Sequence, residues 1–200
     1  MQHCFIGGAS EGLGLSLACL LVSRGAHVSL VSRSKDKLEK ARIEVEVRYA
    51  VRQDRPKLKL TMSQKRRVNA NQKIHIYACD LTNARDAAQT LNEACEPFGE
   101  APDAVFACAG GCKPGFFTQV EAEEHFECLG WNFKTALYTV HEATRRMKKD
   151  NKPGCKIVFT ASVMAMMGFV GYSTYSPGKY AIRGRRYSCI VMLVATDALA

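Results

Sequence analysis

Short apolar segments alternate along this chain with segments of helical period. The apolar segments predict five buried strands, at HCFIGG, HVSLVS, KIHIYACD, DAVFACAGG and GCKIVFTAS. Helices are predicted at LGLSLACLLVSRG, SKDKLEKARIEVEVRYAV and ARDAAQTLNEAC, over most of residues 121–149 with a break near Gly130, and from Tyr175 onward. Strands that are apolar throughout and alternate with helices are typical of a parallel sheet covered on both faces. The pattern predicts an α/β fold with a doubly wound parallel sheet and ligands at the carboxyl ends of the strands.

Composition and length narrow the class of protein. The chain has 200 residues, 47% hydrophobic and 24% charged, which suits one globular domain. Its nine cysteines are scattered and include no CxxC pair, which predicts reduced thiols in a protein facing the cytosol, and no metal site. No apolar stretch of about 18 residues occurs, so no transmembrane segment is predicted. The first strand begins too early to leave room for a signal peptide.

Positive charge is concentrated in one segment of the chain. The formal net charge is +9, and residues 42–73 hold ten Lys or Arg against three acidic residues. A basic segment fits either a solvated surface insertion or contact with an anionic membrane or a nucleic acid. Aromatic residues are not interleaved with these charges beyond Tyr49, so we expect no nucleic-acid partner. A surface insertion and peripheral membrane contact both remain as interpretations.

The turn between the first strand and the first helix has the composition of a phosphate-binding loop. Glycines let the backbone approach a pyrophosphate closely, and the helix N-terminus offers unpaired N–H groups to it. The residues predicted to contact a cofactor in this turn, GGASEGLG, are Gly8, Ser10, Glu11, Gly12, Leu13 and Gly14.

Arg33 follows the second strand at the place where NAD-binding sheets usually carry an acidic residue. A guanidinium offers a fork of donors to a 2′-phosphate, whereas a carboxylate would repel it. The sequence therefore predicts NADP(H) as the cofactor, with Ser32, Ser34 and Lys37 assisting. Asp80 and Leu81, at the end of the third strand, lie where an adenine ring is expected.

Tyr175 and Lys179 are four residues apart at the start of a predicted helix, so both project from one face. A nearby ammonium would lower the pKa of the tyrosine and make it a usable acid. Ser162, at the end of the fifth strand, could polarise a substrate carbonyl. A Tyr-x-x-x-Lys pair on its own would be interpreted as structural.

Five motifs in order resemble those of the short-chain dehydrogenase/reductase family. GGASEGLG resembles its glycine turn, CDL its adenine pocket, and ACAG, with Ala109 and Gly110, its NNAG motif without the asparagines. Asn132, Ser162, Tyr175 and Lys179 match the family's catalytic tetrad, and the last two also match its cofactor-binding positions. The resemblance implies a Rossmann-like fold and an NADP-dependent oxidoreductase.

Within this family, CAGG, KPGFF, NFKTALYTVHEA and GFVGYSTYSPGKYAIRG most resemble the branch of 3-ketodihydrosphingosine reductases. The resemblance implies a long-chain ketone lipid as substrate, 3-ketosphinganine reduced to sphinganine, at the cytosolic face of the endoplasmic reticulum membrane. A steroid, retinoid or 3-oxoacyl reductase is the alternative. The apolar stretch VMAMMGFVG before Tyr175 predicts either a channel for an alkyl chain or ordinary packing against the next helix. The helices following Gly130 and Tyr175 are candidates for contacts in a homo-oligomer.

The resemblance ends at Gly184. RRYSCIVMLVATDALA continues no pattern of the family, whose members have further strands and a substrate lid. We therefore expect residues 1–184 to form a truncated NADP-binding domain with a basic insertion at 42–73, and residues 185–200 to form a divergent tail. Little or no turnover is expected of a domain without a lid. A non-catalytic, nucleotide-binding fragment is the alternative hypothesis.

Overall fold

The computed structural model describes residues 2–53 and 72–184. The strands are β1 (His3–Gly7), β2 (His27–Ser32), β3 (Ile74–Ala78), β4 (Ala104–Ala107) and β5 (Lys156–Phe159). All neighbouring pairs are parallel, in the order β3-β2-β1-β4-β5. The order reverses at β1, whose last residue, Gly7, lies between Val31 and Ala107. A crevice at the carboxyl ends of β1 and β4 is the ligand site expected of such a sheet.

Six α-helices among the described residues connect and cover the strands. They are α1 (Gly12–Ser23), α2 (Lys35–Gln53), α3 (Ala84–Cys95), α4 (Ala122–Leu129), α5 (Thr135–Lys149) and α6, which covers 176–184. The local sequence explains their ends. The Asn83 side chain accepts hydrogen bonds from the first N–H groups of α3, at 2.9 Å from the Arg85 nitrogen. Gly25, with a φ of 93°, follows the end of α1.

Helices lie on both faces of the sheet, as the apolar strands predict. Ile6 of β1 packs with Val22 of α1 and Leu38 of α2 on one face. Its neighbour Phe5 packs on the other face in a cluster with Leu91 of α3 and residues of α5. Because successive strand side chains point to opposite faces, one strand supplies both cores. The predicted doubly wound parallel sheet is confirmed.

The prediction of a helix break near Gly130 is wrong, because the structure has a wider helical turn there. Residues Gly130–Lys134 form one π-helical turn that joins α4 to α5 without interrupting the helix. A π turn inserts an extra residue and so shifts the face presented by everything that follows it. Periodicity places a disturbance here but does not distinguish a break from a wider turn.

The basic segment begins inside a regular element. Residues 42–53 belong to α2, and Val45 is fully buried in the core. Residues 54–71 and the tail at 185–200 lie outside the described residues. The first third of the predicted insertion, residues 42–53, is therefore part of a helix that packs on the sheet.

Candidate active site

The glycine turn after β1 is packed too closely for side chains. A Cβ added to Gly14 would lie 2.2 Å from the Gly8 carbonyl oxygen, and one added to Gly8 would lie 2.6 Å from the Ala109 nitrogen. Gly8 and Gly12 have φ values of 78° and 61°, in the left-handed region that favours glycine. The turn thus holds bare backbone at the N-terminus of α1, where a pyrophosphate can approach N–H groups.

A cleft of about 500 Å³ opens beside this turn at the carboxyl ends of the strands. Tyr175 and Lys179 do not line it. All the other predicted cofactor-contacting residues do: Gly8, Ser10, Glu11, Gly12, Leu13, Gly14, Ser32, Arg33, Lys37, Asp80, Leu81, Ala109 and Gly110. The arrangement brings together residues that are far apart in the sequence and fits an elongated nucleotide.

Basic side chains lie at the end of the cleft beside β2. Arg33 is exposed there. Lys37 lies nearby at the start of α2, and its ammonium is 3.0 Å from the Glu11 carboxylate. This end of the cleft therefore carries two cations and one anion.

Asp80 and Leu81 shape the neighbouring wall. The Asp80 carboxylate accepts hydrogen bonds from the Thr82 nitrogen and hydroxyl, at 3.0 Å and 2.8 Å. Leu81 is buried, and its side chain would lie 3.0 Å from a Cβ on Gly7. The hydrogen bonds of Asp80 hold the loop after β3 in place. Leu81, in this loop, lines the cleft with an apolar side chain.

Ser162 and Tyr175 form a hydrogen-bonded pair. Ser162 follows β5 and caps a short 3-10 turn, accepting a hydrogen bond from the Met164 nitrogen at 3.2 Å. Tyr175 immediately precedes α6. Burial raises the pKa of the Tyr175 phenol, and the hydrogen bond with the Ser162 hydroxyl opposes that rise.

Lys179 lies one helical turn beyond Tyr175 and is buried. Its ammonium donates to the Thr160 carbonyl at 2.9 Å and lies 5.4 Å from the centroid of the Tyr175 ring. Burial lowers the pKa of Lys179. The sequence predicts a lowered pKa for Tyr175, and this prediction is wrong for this structure. Burial of the phenol raises its pKa by more than the hydrogen bond with Ser162 lowers it.

Asn132 is fully buried in the π turn between α4 and α5. Its amide nitrogen donates to the Gly111 carbonyl at 2.7 Å and to the Cys128 carbonyl at 2.8 Å. Its amide oxygen has no hydrogen-bond partner among the described residues. A Cβ on Gly110 would lie 2.6 Å from that oxygen and 3.5 Å from the Lys179 ammonium. Asn132 and Lys179 thus meet at the same glycine of the cleft wall.

An apolar groove of about 640 Å³ lies next to the Tyr175 turn. Phe116 and Phe117 form one wall and residues 168–173 the other, with Pro177 and Tyr180 of α6 also lining it. The walls are joined by a hydrogen bond of 2.9 Å from the Gly115 nitrogen to the Gly171 carbonyl. Part of VMAMMGFVG therefore faces a groove, and another part of it, Ala165, is buried.

Several residues of the cleft were not singled out from the sequence. Trp131 and Thr135 line it from the π turn and α5, beside Cys108, Gly111 and Cys112. Their proximity to Asn132 and to the ACAG motif is the signal that could have identified them. The backbone carbonyl of Thr160, which accepts a hydrogen bond from Lys179, could not be identified from the sequence, because any residue type supplies a carbonyl.

Thiol and metal chemistry find no support in the described part of the chain. Burial raises the pKa of Cys108 and Cys112 beside the cleft, which disfavours the reactive thiolate. No group of three or more His, Cys, Asp or Glu residues there is placed to hold a metal ion.

The sequence matches a known family over most of its length. The profile described as short chain dehydrogenase matches residues 47–188. This chain belongs to the short-chain dehydrogenase family. Members of this family use NAD(H) or NADP(H) as cofactor, which agrees with the glycine turn and the cleft described above.

Several relatives of this chain are named as 3-ketodihydrosphingosine or 3-dehydrosphinganine reductases. The chain is similar to the 3-ketodihydrosphingosine reductase TSC10 of Cryptococcus neoformans, with 36% identity over 184 residues, which is 92% of this chain and 49% of that protein. The 3-ketodihydrosphingosine reductase ksrA of Aspergillus fumigatus is 32% identical over 88% of this chain and 46% of its own length. The 3-dehydrosphinganine reductase of Danio rerio is 29% identical over 91% and 49%. The chain spans about half the length of these relatives.

Solved structures share the fold. An alcohol dehydrogenase from the archaeon Thermococcus sibiricus, complexed with 5-hydroxy-NADP, matches with a TM-score of 0.78 at 21% identity, covering 96% of this chain and 71% of that one. An NAD⁺-bound xylitol dehydrogenase matches with a TM-score of 0.80 at 22% identity, covering 97% and 65%. These likenesses establish the Rossmann-like architecture.

In the described part of the chain, the helices are all too short or too polar to cross a lipid bilayer.

Proposed function

We propose that this site reduces the ketone of 3-ketosphinganine to the alcohol of sphinganine with NADPH. The observation that carries the proposal is the Ser162–Tyr175 pair, which lies with Lys179 close to a nucleotide-sized cleft. The named relatives, at 29–36% identity, support the choice of substrate.

The residues of the cleft fit a nicotinamide dinucleotide. Gly8 and Gly14 leave no room for side chains where a pyrophosphate would lie against backbone. Arg33 and Lys37 would contact a 2′-phosphate, which favours NADPH over NADH. At the other end, Lys179 would hold the hydroxyls of the nicotinamide ribose. The bound cofactor would supply the hydride.

Tyr175 supplies the proton in the proposed reaction. As a ketone carbon is reduced, negative charge develops on its oxygen, and the Ser162 hydroxyl stabilises that charge by donating a hydrogen bond. The Tyr175 hydroxyl then donates its proton to the oxygen. Because burial raises the pKa of Tyr175, the phenol is in its protonated, donating form at neutral pH.

In the same proposal, Lys179 stabilises the phenolate and Asn132 helps to return a proton to Tyr175. The Lys179 ammonium, held by the Thr160 carbonyl, lies beneath the tyrosine ring and favours the phenolate left after transfer. The buried Asn132 oxygen faces the same glycine as that ammonium. By resemblance to the family, Asn132 would position a water that returns a proton to Tyr175 through Lys179.

The apolar groove supports a substrate with a long chain. Its aromatic and aliphatic lining residues lie beside the turn that carries Tyr175, and its two walls are tied together by backbone. Phe117 and Val170 are 71% and 82% exposed, so an alkyl chain lying there would cover apolar surface.

Two further properties are part of the proposal. Location at the cytosolic face of the endoplasmic reticulum membrane, through peripheral contact, follows from the resemblance to the named reductases. A homo-oligomer would form through the helices after Gly130 and Tyr175. Exposed Tyr180 on α6 supports such a contact.

The test is NADPH oxidation, with matched ketones, by a form of the protein that also carries the C-terminal half of a full-length relative, because little turnover is expected of a domain without a lid. We expect absorbance at 340 nm to fall when 3-ketosphinganine is added, and to fall more slowly with a steroid, a retinoid or a 3-oxoacyl ketone of equal concentration. Faster turnover of one of those ketones would favour the alternative lipid-ketone reductase. NADPH binding without turnover of any ketone would favour a non-catalytic, nucleotide-binding fragment.

A further inference from the structure

The 2′-phosphate end of the cleft contains an acidic side chain that its proposed ligand does not need. Glu11, in the glycine turn, lies 3.0 Å from the Lys37 ammonium. The two side chains are 72% and 57% exposed, and both line the cleft with Arg33. In contrast to Lys37, Arg33 has no ion pair with any described residue.

This ion pair joins the two turns between which an adenosine ribose would lie. Glu11 caps α1, and Lys37 lies in the first turn of α2, where its nitrogen is 3.3 Å from the Ser34 hydroxyl. An anion arriving at Lys37 competes with the Glu11 carboxylate, 3.0 Å from the same ammonium, and is repelled by it. A ribose with a free 2′-hydroxyl meets no such penalty, because a hydroxyl can donate to a carboxylate.

We propose that Glu11 is a specificity-determining residue that limits the preference for 2′-phosphorylated cofactor by engaging Lys37. The inference rests on the proposed function, since it concerns the same nucleotide cleft. Arg33 attracts the phosphate, and Glu11 reduces the contribution of the second cation. The chain therefore binds NADPH less tightly than its two basic residues alone would allow.

The test measures both cofactors on the full chain and on Glu11→Gln, which keeps the shape of the side chain and removes its charge. Trp131 is the chain's single tryptophan and lines the cleft, so energy transfer from it to a dihydronicotinamide reports binding. We expect Glu11→Gln to bind NADPH about five-fold more tightly, equivalent to roughly 1 kcal/mol, the upper end for exposed ion pairs. NADH affinity should stay the same or fall.

Two controls separate this effect from general charge and from folding. Glu39→Gln makes the same charge change at an exposed pair with Arg42 outside the cleft, and it should leave both affinities unchanged. Adding Lys37→Met to Glu11→Gln should reduce the gain for NADPH to less than about two-fold, because the freed partner is gone.

Each other outcome overturns a stated claim. Equal gains for NADPH in Glu11→Gln and Glu39→Gln would overturn the specific role of Glu11, and equal losses for both cofactors in Glu11→Gln would make the ion pair purely structural. A full gain in the Lys37→Met background would overturn action through Lys37. If the unmodified chain bound neither cofactor, the proposed function would fall as well.

Discussion

At the residue scale, Tyr175 has the clearest chemical consequence. Its phenol is half-buried, hydrogen-bonded to Ser162 and 5.4 Å, at the ring centroid, from the Lys179 ammonium. The sequence motif could predict which residues meet. It could not predict the balance of burial against hydrogen bonding that raises the tyrosine pKa, because that balance depends on how the chain encloses the ring.

Tyr175→Phe removes the proposed acid and keeps the ring. We expect ketone reduction to fall about 10²-fold or more, the usual scale for losing a general acid, while NADPH affinity changes little. Steady-state rates and Trp131 energy transfer measure the two quantities on one preparation. Retention of most of the turnover by a folded, NADPH-binding variant would disprove the assignment.

His3 predicts a pH dependence of stability away from the cleft. Its ring is buried, stacks on Phe98 at 3.9 Å and lies 2.8 Å from the Ser29 hydroxyl. Burial lowers the pKa of His3 from 6.5 to about 3. Between these values the unfolded chain binds the proton and the folded chain does not, so the contribution is complete above pH 6.5 and decreases as pH falls toward 3.

The free energy of unfolding should therefore fall by about 2 kcal/mol from this residue between pH 6.5 and pH 5, at about 1.4 kcal/mol per pH unit. Urea denaturation at several pH values measures it. His3→Gln has no titratable ring, so its curve should be flatter by that amount. Parallel curves for the two proteins would show that His3 does not titrate in this way.

At the element scale, most boundaries could be predicted and one could not. β2 and α3 occupy the segments that their apolar and helical periods predict, because a parallel sheet covered on both faces leaves a simple pattern. The π turn at Gly130–Lys134 left no distinguishable pattern, although it determines where Asn132 points. A one-residue shift in a buried helix depends on tertiary contacts that periodicity does not record.

The end of β2 determines the preferred cofactor in this account. Arg33→Asp should shift the ratio of NADPH to NADH affinity toward NADH, by about ten-fold or more, since a charged hydrogen bond to phosphate is replaced by repulsion. Arg24→Asp, at the end of α1 and away from the cleft, is the matched control and should leave the ratio unchanged. Equal affinity of the unmodified chain for both cofactors would contradict the prediction.

The turn between β1 and α1 should not tolerate a methyl group. Gly14→Ala would place a Cβ 2.2 Å from the Gly8 carbonyl oxygen, so we expect a loss of stability of about 1–3 kcal/mol and weaker nucleotide binding. A Cβ on Gly184 meets no atom within 4 Å, which makes Gly184→Ala the control. Urea denaturation of both variants measures the difference, and an unchanged Gly14→Ala would show that the turn can relax.

At the scale of the whole molecule, much of the positive charge belongs to a segment of the chain that lies outside the described residues. Residues 54–71 hold six Lys or Arg and one Asp, a net charge of +5. They connect α2 to β3, on both of which the core depends. The sequence predicts the helix through Val51 but not that residues 42–53 cover the sheet, because a charged helix in a surface insertion and one packed on the core look alike until Val45 is seen to be buried.

Replacing residues 54–71 with a short Gly-Ser linker should leave NADPH affinity unchanged, since the length of a connection between two elements affects closure entropy only slowly. The change retains Gln72, whose side chain donates to the Val22 and Ala26 carbonyls. Pelleting with anionic liposomes at two salt concentrations tests membrane contact. Salt-sensitive binding lost on replacement supports that contact, whereas unchanged pelleting leaves a solvated insertion.

The central claim is hydride transfer from a nicotinamide to a lipid ketone with proton donation by Tyr175. The most direct measurement is mass spectrometry of the product formed from 3-ketosphinganine and NADPH carrying deuterium on the transferred face of C4, using the form of the protein that also carries the C-terminal half of a full-length relative. We predict one deuterium at the carbinol carbon of sphinganine, and a yield at least about 10²-fold lower with Tyr175→Phe. Bound NADPH with no deuterated product, or an undiminished yield from Tyr175→Phe, would contradict it.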